Sequence, residues 1–241
     1  MTISVVVPAF NEERGLAGAL RSIRQAMAAF ADRGWTTELI VCDNNSTDRT
    51  AAIAREEGAD VVFEPINQIS RARNTGAAHA TGEWLLFVDA DSYPSRELFA
   101  DTADAIASGT CLAGGSTVVF DTDERLPNAA VNGWNAISRQ LHWAAGSFIF
   151  CDTKTFREMN GFSQELYAAE EIELFRRLKR IARIKRKQIV ILDRHPLLTS
   201  ARKARLYTPR EALGFMLKTL LLAGRPFKKR DDCYQWYDGR R

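Results

Sequence analysis

Cysteine is scarce in this chain, and what there is does not pair. Cys42, Cys111, Cys151 and Cys233 are far apart and form no CxxC pair. That spacing excludes a zinc-knuckle reading and gives no disulfide framework, and it suits a reducing compartment. Cys42 and Cys151 sit in apolar runs and read as small packing residues. Long apolar runs are missing as well. No stretch approaches the roughly 18 residues that a membrane-spanning helix needs. A secretory leader is not apparent, since MTISVVVPAFNEE has no basic n-region and reaches Glu12 early. The expected location is therefore the cytoplasm. No internal repeat, low-complexity stretch or linker breaks the chain. The glycine-rich loop of a phosphate-binding fold is absent after Val7, where the sequence reads PAFNEE.

What is present is an ordinary globular composition, 46% hydrophobic and 26% charged over 241 residues, enough for one α/β domain with a sizeable core. The net charge of +3 hides an asymmetry. Residues 176–241 hold 20 Lys and Arg against 5 Asp and Glu, whereas residues 1–175 hold 13 against 25. A basic C-terminal third suggests contact with a polyanion: nucleotide phosphates, an anionic membrane surface or nucleic acid. A solvated basic face is the plainer alternative. Interleaved aromatics on a basic strand, which nucleic-acid binding would favour, are not evident.

The periodicity alternates through the first half. Residues 3–7, 38–42, 61–63 and 84–88 read as buried strands. Helical spacing occupies residues 12–30, with Leu16, Leu20, Ile23 and Met27 on one face. A second helix is expected around Ala51 to Ile53, capped by Ser46 or Asp48. A third covers residues 70–80 and is ended by Gly82. Alternation of this kind predicts a parallel, doubly wound sheet. Ligands of such sheets sit beyond the carboxyl ends of the strands. Three polar clusters fall there: residues 8–12, 43–46 and 89–91. The second half is less regular, with strands expected at residues 116–120, 148–151 and 189–192 and helices at 128–141 and 170–181.

Two acidic clusters and a histidine carry the candidate chemistry. The apolar strand WLLFV delivers Asp89-Ala90-Asp91, two carboxylates that share a face if the segment is extended. Hard cations such as Mg²⁺ and Mn²⁺ want such oxygens and bridge to substrate phosphates. A turn before Ser92-Tyr93-Pro94 is the bland alternative. In Glu170-Glu171-Ile172-Glu173, Glu171 leads the inward stripe Leu174, Phe175 and Leu178. Glu173 lines up with Arg176, Arg177 and Arg180 as an ion-pair partner, and Glu170 is intermediate. A carboxyl at the edge of an apolar face has its pKa raised, which suits a general base. Enrichment of acids in a helix's first turn is the plainer alternative. His195, after an apolar strand, is a candidate third metal ligand or a structural hydrogen-bonder. Arg202, Lys203 and Arg205 could neutralise a diphosphate or simply form a basic loop.

The segments VVVPAFNEE (5–13), ELIVCDNNSTDRT (38–50), SRARNTGAAHATGEWLLFVDADS (70–92) and MNGFSQELYAAEEIELFRRL (159–178) occur in this order. Together they resemble family 2 glycosyltransferases of the GT-A fold, over residues 1 to about 200. The resemblance implies a Rossmann-like half with a mostly parallel sheet (1–115), an acceptor half (116–210) and a basic helical tail (211–241). It implies inverting transfer from a UDP- or GDP-sugar to a sugar or lipid-linked acceptor, with Mn²⁺ or Mg²⁺ as cofactor. Pro8, Ala9, Phe10, Asn11 and Glu12 would border the nucleotide. Asp43 would bind the base, and Arg71 and Asn74 would approach the nucleotide, while Arg73 would face solvent or an acid. Asp89 would touch ribose and metal, Asp91 metal and pyrophosphate. The family usually places Glu-Asp where this chain has Glu170-Glu171, with the Asp as base, so the base here would be Glu171. The Gln-x-x-Arg-Trp motif of the processive synthases is absent. A weakly catalytic nucleotide binder and a phosphoryl-transfer enzyme on a related fold are the competing readings. In the tail, Leu213, Met216, Leu217 and Leu220 share a helical face followed by Lys228-Lys229-Arg230. This face would pack on the domain or lie on an anionic membrane.

Overall fold

The computed structural model describes residues 1–202 together with Lys228 and Cys233. The expected tail helix, and Lys203 and Arg205, lie outside the described residues. Among them the chain forms one eight-stranded sheet: β1 (Thr2–Ala9), β2 (Thr36–Asp43), β3 (Asp60–Phe63), β4 (Trp84–Val88), β5 (Ser92–Tyr93), β6 (Cys111–Phe120), β7 (Phe148–Asp152) and β8 (Gln188–Thr199). The helices are α1 (Leu16–Ala31), α2 (Thr50–Glu56), α3 (Ile69–His79), α4 (Arg96–Ala107), α5 (Arg125–Leu141), α6 (Thr153–Glu158) and α7 (Glu170–Lys185).

The strand order is β3-β2-β1-β4-β7-β6-β8-β5. The first four strands run parallel, joined by helical crossovers. β7 is antiparallel to both β4 and β6, β6 and β8 run parallel, and β5 closes the far edge against β8. The buried run of β1 serves both faces by alternation. Ile3, Val5 and Val7 join Leu16, Leu20 and Ile23 of α1 and Leu98 and Phe99 of α4. Val6 faces the other layer, with Ala77, Phe87, Phe156, Phe162, Leu174 and Phe175. All four described cysteines are buried and unbridged.

Some expected boundaries move. Helix α4 has no counterpart among the expected elements, although Ser95 caps it by accepting from Leu98 N at 3.1 Å. Helix α2 gets no side-chain cap. Ser46 turns instead to the first loop, and Asp48 bonds Thr50 at 2.9 Å. α3 stops at an extended Ala80, so Gly82 is not its cap. Gly82 answers a close approach: a Cβ there would sit 2.8 Å from both the Ser4 amide nitrogen and the Thr2 carbonyl oxygen.

Gly114, on β6 in the middle of the sheet, has the same role. A Cβ on it would run into the Val190 carbonyl oxygen and the Phe150 ring. Gly114→Ala is expected to cost about 1–3 kcal/mol by overpacking. Urea unfolding should show a lower midpoint with an unchanged slope.

Candidate active site

The ends of β1 and β2 carry two loops bonded to each other. Asn11 takes a left-handed backbone, φ 51°, which an asparagine tolerates. Its amide donates to Ser46 Oγ at 2.9 Å, and its Oδ1 accepts from Thr47 N at 2.8 Å. Glu12 N donates to Thr50 Oγ1 at 2.8 Å and Glu13 N to Asp48 Oδ2 at 3.1 Å. Asp43 is buried and accepts from Ser46 N at 3.1 Å. It therefore makes the Asx turn. Pro8 and Ala9 are buried β1 residues in register with Cys42 and Asp43, so the loop proper begins at Phe10. Phe10, Asn11, Asn45 and Thr47 line a surface cavity with Pro65, Ile66 and Asn67.

The acidic triplet is a turn rather than extended chain, since Ser92 N donates to Asp89 O at 3.1 Å. Ala90 is buried, and both aspartates still face a cavity of about 400 Å³. Ser200 N reaches Asp91 O at 3.1 Å, tying the end of β8 to the triplet. A second cavity of about 340 Å³ lies on the other side of Asp91. It is lined by Asn11, Glu12, Arg14, Asp48, Tyr93 and Arg202 among others. Asp91 and Ser200 belong to both cavities. Arg202 grips Glu12 at 2.7 and 2.9 Å and lies 3.9 Å from Asp91. These three groups, 190 positions apart at the extremes, form one charged rim.

The floor of the larger cavity is built on Arg73, only 1% exposed. Its guanidinium donates to Glu170 at 2.7 Å, Asp89 at 3.0 Å and the Gly146 carbonyl at 2.8 Å, and it stacks on Phe162 at 5.2 Å. Burial works against its charge, but Asp89 and Glu170 outweigh this and hold the pKa above the usual value. Glu171 faces the cavity beside this group and keeps some surface there. Desolvation by the surrounding protein, then the charge of Glu170, push its pKa up to about 8. The facing wall is apolar: Val118, Phe120, Val131 and Trp134. Asn135 fixes that wall by bonding both the amide and the carbonyl of Val118.

Comparison with known proteins places this architecture. The chain matches the Glycosyl transferase family 2 model over residues 4–163, more than half its length. The chain belongs to glycosyltransferase family 2. A 4,4'-diaponeurosporenoate glycosyltransferase of Staphylococcus haemolyticus is 38% identical over 97 residues, 37% of this chain and 24% of that relative. An uncharacterised glycosyltransferase of Mycobacterium bovis is 37% identical over 89 residues, 37% of this chain and 36% of that one. The matches thus span a minor part of these relatives' lengths. Among solved structures, TarS of S. aureus aligns with TM-score 0.64 at 22% identity, over 98% of this chain and 68% of that one. A mannosyltransferase from Pyrobaculum calidifontis, in complex with GDP-Man and Mn²⁺, aligns at 0.62 and 20%, over 81% and 56%. These likenesses establish the GT-A fold.

In this family 2 glycosyltransferase the expected residues do not all converge. Asn74 spends its amide on Phe162, accepting from its N–H at 2.9 Å and donating to its carbonyl at 2.8 Å. It lines a separate surface cavity with Phe156 and Gln164. Arg71 pairs with Glu64 at 3.2 Å and bonds Gln164 at 2.8 Å. His195 is bound to Asp101 of α4 at 2.8 Å. It precedes Thr199 by four strand residues, about 13 Å of extended chain, which separates it from the aspartates. Among the described residues no group of three or more His, Cys, Asp or Glu could hold a metal. Arg73 faces acids and not solvent, and Glu170 is the deeply buried member of the acidic pair. Glu170 falls in line with Leu174 and Leu178 at i+4 and i+8, a spacing that could have revealed this. Glu173 pairs with Arg177 as its spacing implied. Phe120 and Trp134, absent from the expected site, carry no signal in the acidic motifs.

Arg73→Met would strand Glu170 as an uncompensated buried charge and should cost about 3–5 kcal/mol. The double variant Arg73→Met/Glu170→Leu should recover most of that loss. Urea unfolding of the three proteins checks it.

Proposed function

We propose that the chain transfers a sugar from a nucleoside diphosphate sugar to an acceptor hydroxyl, with inversion at the anomeric carbon. The observation that carries this reading is the position of Asp91 between two cavities. One cavity is rimmed by polar loop residues and Arg202; the other holds Glu171 against an apolar wall. The donor's nucleotide would occupy the loop side, at Asn11, Glu12 and Asp43, with Arg202 near its diphosphate. The donor class is supported by the fold neighbours: TarS has been solved with UDP-GlcNAc and the glucosyl-3-phosphoglycerate synthase of Mycobacterium tuberculosis with Mn²⁺ and UDP.

The aspartates suit a hard divalent cation. Asp91 and Asp89 offer carboxylate oxygens of the kind that Mg²⁺ or Mn²⁺ would take, with phosphate oxygens and water as further ligands. Such an ion, when bound, would neutralise charge on the diphosphate. Asp89 is held by Arg73 at 3.0 Å. Glu171 would accept the acceptor's proton as its oxygen attacks from the face opposite the leaving group. The proton affinity of Glu171 suits that role, since a base is most effective when its pKa lies near the working pH. In this reading residues 1–115 and Arg202 bind the donor and the rest of 116–210 serves the acceptor, within one domain. Among the described residues no helix is long and apolar enough to cross a membrane.

Asp91→Asn should abolish the thermal stabilisation that a nucleoside diphosphate gives with Mn²⁺, since only ligand bound to the native state raises the melting temperature. An undiminished shift would overturn the metal assignment. Glu171→Gln should keep that shift and lower transfer by about 10²–10⁴-fold. Because Glu171 acts only when ionised and titrates near 8, kcat/KM should climb as pH rises towards that value, by about tenfold per unit below it. A pH profile of wild type that is flat from 6 to about 8 would remove Glu171 from this role.

A further inference from the structure

The helices flanking the larger cavity continue past it as one amphiphilic face. Trp134 of α5 lines the cavity. Ile137 and Leu141 follow at three and seven residues on the same side of the helix, and they are 46% and 42% exposed. The Leu141 carbonyl accepts from Lys179 of α7. Just beyond α5, the Trp143 ring lies against Arg176 and Lys179, at 5.6 and 5.5 Å from its centroid. The basic side of α7 therefore borders the exposed apolar end of α5. Arg180 and Arg183 share that side by spacing and are exposed. Neither has an ion pair among the described residues, while the nearest acid on the helix, Glu173, is committed to Arg177.

Large exposed aliphatics beside uncompensated cations match one surface in particular. An anionic bilayer accepts apolar side chains at the headgroup boundary and attracts basic residues to its phosphates. We propose that the α5–α7 face docks on an anionic lipid bilayer. Charge and apolar exposure both point there, and the stripe leads from the membrane side back to Trp134 in the cavity. The acceptor would then be a lipid-anchored molecule whose hydroxyl reaches Glu171. That last step rests on the transferase reading above; the docking itself does not.

The test is co-sedimentation of the full chain with vesicles of equal parts phosphatidylglycerol and phosphatidylcholine, and with phosphatidylcholine alone. The chain should pellet with the anionic vesicles at low salt and be released by high salt, since exposed charges are screened. Arg180→Gln/Arg183→Gln should lower the partition coefficient about 25-fold, from roughly fivefold per basic residue at the surface. Ile137→Asp/Leu141→Asp should also lower it. Arg24→Gln/Arg55→Gln makes the same charge change on α1 and α2 and should leave binding near wild type. All six side chains are exposed, so the fold should tolerate these changes, and thermal unfolding checks this. Wild type remaining in the supernatant at low salt would overturn the proposal. So would equal losses in the two arginine pairs, which would mean net charge alone, or full binding by the face variants. Nucleotide-induced stabilisation should be the same in all variants, so its absence alongside vesicle binding would count against the transferase reading only.

Discussion

A buried guanidinium needs anionic partners on every side, and that need organises the centre of this molecule. Arg73 projects from α3 into the protein, where water cannot solvate it. Glu170 at the start of α7, Asp89 at the end of β4 and the Gly146 carbonyl before β7 meet it there. Elements far apart in the chain are thus held at one point, each by a charge-assisted hydrogen bond. Two carboxylates against one guanidinium leave the centre with an excess of negative charge. Glu171, beside that excess and short of water, holds its proton more tightly than an ordinary glutamate. The base proposed for the reaction is therefore conditioned by the ion pair that fixes the fold around it.

The polar end of β1 and β2 relies on a different device. Its loops are tied by hydrogen bonds between backbone amides and short polar side chains, Asn11 with Ser46 and Thr47, Glu12 with Thr50 and Glu13 with Asp48. Side chains of this length reach neighbouring backbone with little loss of conformational freedom. Arg202 closes the arrangement by returning from beyond β8 to Glu12. The apolar side of the larger cavity, by contrast, is formed where the sheet turns antiparallel. Strand β6 and helix α5 build an apolar wall opposite the charged floor, anchored by Asn135 on the Val118 backbone.

Much of the fold was legible because it obeys simple periods. β1, β2 and β4 are continuous apolar runs of strand length, and α1 and α7 show their buried stripes. The strand at β7 was expected, but its antiparallel direction and the extension of β8 to Thr199 were not legible, because strand pairing is settled by partners elsewhere in the chain. Helix α4 was not expected, although its buried residues Leu98, Phe99, Thr102, Ala103 and Ile106 and its Ser95 cap are local signals.

The sequence by itself determined the chemistry on offer: acids at the end of β4, acids at the head of α7, polar loops after β1 and β2, and the family to which their order belongs. Local spacing determines which face a residue takes within its own helix or strand, and nothing more. Only the tertiary structure decided the pairings. It took His195 to Asp101 and Asn74 to Phe162, away from the aspartates. It buried Glu170 with Arg73, 97 positions apart in the chain, and left Glu171 facing the cavity. The physical reason is that a buried charge is tolerable only where opposite charge and hydrogen bonds compensate it, and the compensating groups come from whichever elements the sheet brings near.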